Sequence, residues 1–217
     1  MSNNGVKKTL FIFDVDGTLV DAYQAIEKSL NFTRKKLGYP MVSLAQVKKK
    51  VGKGDKRFIA TFFNSSDRKK ALTIYRYHHK KSLLKYSKLK PYAKSLLSTL
   101  RQRNKILSVA SNRPQYYTLI LLNKLGIKKY FSGVYCADKL KSLKPNPKIL
   151  NIILKRFNLQ KKEAVYVGDM AIDLETAKRA GVDAVFIRGG SSSLQEVKSY
   201  PNKKVVANLN KILKIYN

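Results

Sequence analysis

The stretch LFIFDVDGTLVD, residues 10–21, decides the fold. Four apolar residues run straight into Asp14 and Asp16, with Gly17 and Thr18 directly behind them. A short unbroken apolar run ending in a polar cluster reads as a strand buried on both faces. The chain has only 13 acidic residues against 45 lysines and arginines, so two carboxylates in one turn are conspicuous. Asp169 and Asp173 form a second tight pair. Repulsion within such pairs is relieved most simply by a bound cation.

The same strand signature recurs at KILSVA (105–110), GVYCA (133–137), AVYVG (164–168) and DAVFI (183–187), and TLFIF (9–13) contains the first run. Helical patterns lie between them, at 114–125 with Pro114 in its first turn and Gly126 behind its last, at 147–157, and at 171–180 before Gly181. Alternation of strand and helix predicts an α/β chain with a Rossmann-like parallel sheet core and helices on both faces. Between residues 20 and 90 the alternation fails. Ile26, Leu30, Thr33 and Leu37 recur at helical spacing, short helices are expected at 44–50 and 55–63, and a longer one opens at Ser65-Ser66-Asp67. This predicts a small all-helical cap inserted at residues 20–88, with the core formed by 1–19 and 89–217. The two crossings fall near Val20 and Asp21 and near Leu89.

At 217 residues and 44% hydrophobic content the chain can bury a sizeable core. No segment approaches the ~20 apolar residues of a membrane span, and the apolar run at residues 10–13 is too short for an export signal. The single cysteine, Cys136, lies in an apolar run and reads as a buried, inert thiol. A cytoplasmic protein, a monomer or weak dimer with no membrane partner, is the expectation. The net charge of +32 would attract polyanions. Yet the 35 lysines outnumber the 10 arginines and are spread along the whole chain, which reads as codon bias rather than as a nucleic-acid surface. Nucleic acid therefore stands as an alternative partner that the pattern does not favour. His78 and His79, in a basic helical stretch without further ligands nearby, read as a solvated pair.

In an open parallel sheet the residues just after each strand converge on one crevice. Here these are Asp14, Asp16 and Thr18, then Ser111 and Asn112, then Lys144, then Asp169 and Asp173. Carboxylates that can attack phosphorus or move a proton, beside a hydroxyl and an ammonium that can hold phosphate oxygens, suit phosphoryl transfer.

The set DVDGT (14–18), VASN (109–112), Lys144-Pro145-Asn146-Pro147 and VGDMAID (167–173) resembles the four ordered motifs of the haloacid dehalogenase-like hydrolase superfamily. DGTLVD before a helical insert, VGKG within it, KPY before the second core strand and AKRAGV after the last motif are similar to its phosphoglycolate phosphatase-like branch. The resemblance implies that Asp14 is the nucleophile and Asp16 the general acid and base, and that Mg2+ is held by Asp14, the Asp16 carbonyl and Asp169. It implies that Ser111 and Lys144 hold phosphate oxygens, with Asn112 and Thr18 contributing, and that Asp173 steadies the metal or Lys144. Lys53 and Arg57 occupy the place where relatives put substrate-selecting cap residues. Asn146 departs from the pattern, which has Asp between the two prolines. The expected substrate is a small phosphorylated metabolite, 2-phosphoglycolate first. A phosphomutase of the same superfamily is the near alternative, and a nucleotide or polynucleotide end-phosphatase the more distant one.

Overall fold

The computed structural model describes residues 8–201 and 203–216, so residues 1–7 of the expected core lie outside the described residues. In chain order the elements are β1 (Leu10–Phe13), β2 (Val20–Asp21), α1 (Tyr23–Lys36), α2 (Leu44–Lys48), α3 (Asp55–Phe62), α4 (Arg68–Tyr86) and β3 (Lys88–Leu89). They continue as α5 (Ala93–Gln102), β4 (Ile106–Ser111), α6 (Gln115–Lys124), β5 (Gly133–Cys136), α7 (Ala137–Leu140), α8 (Lys148–Phe157) and β6 (Ala164–Gly168). Last come α9 (Ala171–Ala180), β7 (Asp183–Ile187), α10 (Leu194–Val197), β8 (Lys203–Val206) and α11 (Lys211–Ile215).

Among the described residues, six strands form one sheet in the order β5-β4-β1-β6-β7-β8, with every adjacent pair parallel. All four residues of β1 are buried, as a strand covered on both faces requires. Its side chains alternate. Phe11 and Phe13 join a core layer with Leu96 and Leu97 of α5 and Leu121 and Leu122 of α6. Leu10 and Ile12 join the opposite layer with Ile149 and Ile153 of α8 and Leu174 and Ala177 of α9. Each such side chain contributes about 1.5–3 kcal/mol, which fixes the register against slippage by one residue.

The helical insert has its own core, in which Leu30 of α1, Phe58 and Ile59 of α3 and Tyr75 of α4 pack together. Its two crossings pair as an antiparallel ribbon, Val20 with Leu89 and Asp21 with Lys88. The long fourth helix begins one turn later than its Ser-Ser-Asp signal, because Ser65–Asp67 close a 3-10 turn first. Strand β8 escapes the sequence reading. Its residues are Lys203, Lys204, Val205 and Val206, and at a sheet edge lysines replace the apolar signature while deterring further pairing. Cys136 is buried, and burial pushes its thiol up to about 12, so it is inert as expected. Among the described residues no helix is long and apolar enough to cross a membrane.

Candidate active site

Strand register brings the polar residues to one level. In β1, Phe13 pairs with Val109 of β4 and Val167 of β6. Asp14 therefore leaves the sheet beside Ser111 and Asp169, each two residues past its paired position. The Asp14 N–H still donates to the Val167 carbonyl at 2.9 Å, so the carboxylate is carried by the last sheet bond. Beyond it the chain folds back on itself, with the Gly17 N–H donating to the Val20 carbonyl at 2.8 Å. Gly17 has φ of 83°, and a Cβ there would collide with the Tyr23 hydroxyl and the Asp169 carboxylate.

Lys144 is the hub. Its Nζ donates to Asp14 Oδ1 at 2.7 Å, to Asp173 Oδ1 at 2.7 Å and to the Tyr166 hydroxyl at 2.9 Å. Asn112 places it, accepting from the Lys144 backbone N–H at 2.8 Å while its amide nitrogen donates to the Gly52 carbonyl of the cap at 2.7 Å. Asn146 keeps the local turn, since its Oδ1 accepts the Lys148 N–H at 2.9 Å and an amide serves there as well as a carboxylate. Asp173 also accepts from the Tyr166 hydroxyl at 3.0 Å and the Met170 N–H at 3.1 Å. Its oxygens thus face donors, Lys144 among them.

Asp169 is fully buried. Thr18 Oγ1 donates to it at 2.8 Å, the Tyr23 hydroxyl at 3.1 Å and the Ser191 N–H at 2.9 Å. The Thr18 hydroxyl thereby spends its proton on Asp169. A Cβ on Gly190 would strike the same carboxylate, so the loop after β7 closes on it through a glycine.

Four carboxylates, those of Asp14, Asp16, Asp169 and Asp173, meet two cations, Lys144 and Arg113. The deficit is two positive charges. Oxygens of Asp14, Asp169 and Asp173 all lie within 4.8 Å of one another, and hard oxygen donors with that deficit fit a divalent cation. Without one, burial and the surrounding carboxylates raise the Asp14 carboxyl well above its usual range, against the pull of Lys144. Lys144 stays an ammonium, because Asp14 and Asp173 outweigh the cost of its burial.

Burial, with Asp173 nearby, pushes Asp169 up to about 7. A folded-state value above the unfolded one of about 3.9 means that stability is lost as pH rises between the two. Metal-free protein should lose a few kcal/mol from this carboxyl between pH 4 and 7, on the order of 10 °C in melting temperature. The increment in melting temperature on adding a divalent cation should accordingly be larger at pH 8 than at pH 5.5. Melts with chelator and with cation at the two pH values check this, and equal increments would show that Asp169 does not titrate against the cation.

Arg113, which the sequence reading passed over, and His79, which it read as solvated, complete the site. Arg113 is buried, and its Nε and Nη2 donate to both oxygens of Asp16, at 2.9 and 2.5 Å. Its Nη1 lies 2.9 Å from His79 Nε2, and His79 Nδ1 lies 3.1 Å from the Ser29 hydroxyl. The expectation of a solvated histidine pair is therefore wrong for His79, which is 3% exposed and stacks on Tyr75. Ala71, Tyr75, His79 and Leu83 are all buried on one face of α4, and that spacing was the available signal. Burial and Arg113 hold its imidazole well below its ordinary range, so it is neutral and accepts from the guanidinium. His78 is half-buried and stacks on Phe32. Lys53 and Arg57 point outward: both are exposed and outside the cavity lining, whereas Gly52, Gly54 and Phe58 face inward.

Chemistry of this kind, at the carboxyl edge of a parallel sheet and beneath a helical cap, is that of a hydrolase. The chain belongs to the haloacid dehalogenase-like hydrolase family, whose model matches residues 11–187. It is 32% identical over 182 residues to a phosphoglycolate phosphatase of Vibrio cholerae, covering 79% of this chain and 80% of that one. It is 29% identical over 216 residues to a phosphoglycolate phosphatase of Vibrio parahaemolyticus, covering 95% of each. Among solved structures, a predicted phosphoglycolate phosphatase from Haemophilus somnus superposes with a TM-score of 0.89 at 25% identity, over 97% of this chain and 98% of that one. The protein is a phosphoric monoester hydrolase.

Proposed function

We propose that the protein is a Mg2+-dependent phosphatase of small phosphorylated metabolites, with 2-phosphoglycolate as its leading substrate, working through an aspartyl-phosphate. The observation that carries this reading is the Asp14 carboxylate at the sheet edge, 2.7 Å from Lys144 and open to the cavity beneath the cap. In the proposed first step Asp14 attacks phosphorus and Asp16 gives a proton to the leaving oxygen. In the second, Asp16 takes a proton from the water that hydrolyses the aspartyl-phosphate. Lys144 and Ser111 hold phosphate oxygens. Asp14 and Asp169, with the Asp16 carbonyl, would hold Mg2+, which when bound neutralises charge on the phosphate. The cap, taken as residues 20–88, shuts bulk water out of the site.

Cavity size supports a small leaving group. About 70 Å3 lies between cap and core, room for roughly five waters, in keeping with a two-carbon alcohol. The substrate named for the Vibrio relatives is of that size. The test is phosphate release, with and without Mg2+, from 2-phosphoglycolate, sugar phosphates, nucleotides, pyrophosphate and a 3'-phosphorylated oligonucleotide. Selective Mg2+-dependent release from 2-phosphoglycolate is the expected result. Release confined to the oligonucleotide, or turnover that needs a bisphosphate activator, would overturn the reading in favour of an end-phosphatase or a mutase.

A further inference from the structure

Among the described residues lining the cavity, only Lys144 and Arg113 carry positive charge. Lys144 meets Asp14, Asp173 and Tyr166 and, in the proposed mechanism, the phosphate itself. Arg113 is the cation left to meet whatever the leaving group presents. Three of its five N–H groups are used, two by Asp16 and one by His79. We propose that Arg113 is the receptor for a carboxylate carried by the leaving alcohol. Binding that carboxylate draws the guanidinium away from Asp16 and frees Asp16 for proton transfer. The proposal rests on the phosphatase reading above.

Four observations carry it. Position is the first. A carboxylate two bonds from the leaving oxygen lies roughly 3–4 Å from that oxygen. Its receptor must therefore adjoin the residue that protonates the oxygen, and Arg113 touches Asp16. The second is the state of Asp16. Both its oxygens accept N–H groups from one guanidinium, so the fork holds the side chain on Arg113 and keeps both oxygens from the leaving group. A competing carboxylate of the same shape is the ligand that this fork would exchange for Asp16.

The third observation is the setting. His79 fixes Nη1 from the cap side, and Phe58, Tyr75 and Tyr117 wall the cavity, so an ion pair formed there is little screened. The last concerns Asp55, which also lines the cavity and would repel an anion. Arg76 Nε lies 2.7 Å from its carboxylate and neutralises it. Exchange at Arg113 ties proton transfer to the right leaving group. A phosphate ester without the second anion leaves Asp16 held.

The test compares 2-phosphoglycolate with its amide, which keeps the shape and loses the charge. Wild type with Mg2+ should favour the acid on the order of 100-fold in kcat/KM, with part of the difference in kcat. Arg113→Met should abolish the preference, lowering the acid and raising the amide several-fold because Asp16 is no longer held, and Arg113→Lys should keep an intermediate preference. A wild type that treats both esters alike overturns the proposal. So does an Arg113→Met variant that loses the same factor on both, a result that would confine Arg113 to holding Asp16. Calorimetric binding of acid and amide to Asp14→Asn protein reads the preference without turnover. If wild type hydrolyses neither ester, the phosphatase reading fails, and the binding comparison still decides for or against Arg113.

Discussion

Asp14→Asn protein should fold, melt no lower than wild type in chelator at pH 7.5, and release phosphate at least ~10^4-fold more slowly. The loss follows from replacing a carboxylate by an amide, which has no nucleophilic oxygen of comparable strength. The retained fold follows from what the side chain does otherwise. The backbone N–H of residue 14 keeps its bond to Val167, and an amide oxygen can still accept from Lys144. The site then holds three carboxylates against two cations in place of four, so mutual repulsion falls. Stabilisation by Mg2+ should shrink as well, since one of its oxygen donors becomes neutral. Phosphate release and thermal melts on the same preparation check all three statements. Activity within tenfold of wild type would sink the covalent mechanism.

Lys144→Met should cost about 3–5 kcal/mol of stability, the usual effect of breaking a buried ion pair. For a chain of this length that is on the order of 10 °C in melting temperature. Methionine keeps the length and most of the volume of the side chain, so packing is little changed. What is lost is the ammonium between Asp14 and Asp173, whose side chains with that of Lys144 are 7%, 1% and 3% exposed. Tyr166 still donates to Asp173, but nothing neutralises either charge. Lowering the pH should restore part of the loss, because buried carboxyls deprived of their cation are raised further and fold better protonated. Turnover should fall ~10^2–10^3-fold through loss of a donor to the phosphate. Urea melts at pH 7.5 and 5 measure the first effect. Unchanged stability at both would refute the neutralising role of Lys144.

The inferred exchange at Arg113 gives the cap a part in chemistry as well as in exclusion of water. His79 and Ser29 belong to α4 and α1, whereas Arg113 and Asp16 belong to loops of the core. Movement of the cap therefore reaches Asp16, the carboxyl proposed to handle the proton, through the hydrogen bonds of Arg113. Asn112, bonded to Gly52 of the cap and to Lys144 of the core, spans the same gap on the phosphate side.

Much of this was legible in the chain. Five strands declared themselves by short apolar runs, four of them buried and β5, at a sheet edge, only partly so, and punctuation by Pro114, Gly126 and Gly181 bounded the helices between them. Asp14, Ser111, Lys144 and Asp169 could be named because a parallel sheet exposes whatever follows its strands at one edge. The residues that escaped did so for physical reasons. Strand β8 carries lysines because it is an edge, and an edge strand need not be apolar on both faces. His79 lies mid-helix among lysines, and its burial depends on Tyr117 and Arg113 arriving from other elements, with Tyr75 of its own helix stacked against it.

By itself the sequence determined the alternation of strand and helix, the helical insert and the set of groups gathered at the sheet edge. These depend on local period and on strand ends, which the chain carries residue by residue. Tertiary structure decided which of those groups touch. It committed Thr18 to Asp169, set Asp173 on Lys144, turned Lys53 and Arg57 outward and closed Arg113 on Asp16. Such pairings join residues some 30 to 150 positions apart, and it is the parallel sheet, which sets the ends of distant strands side by side, that brings them within hydrogen-bond distance.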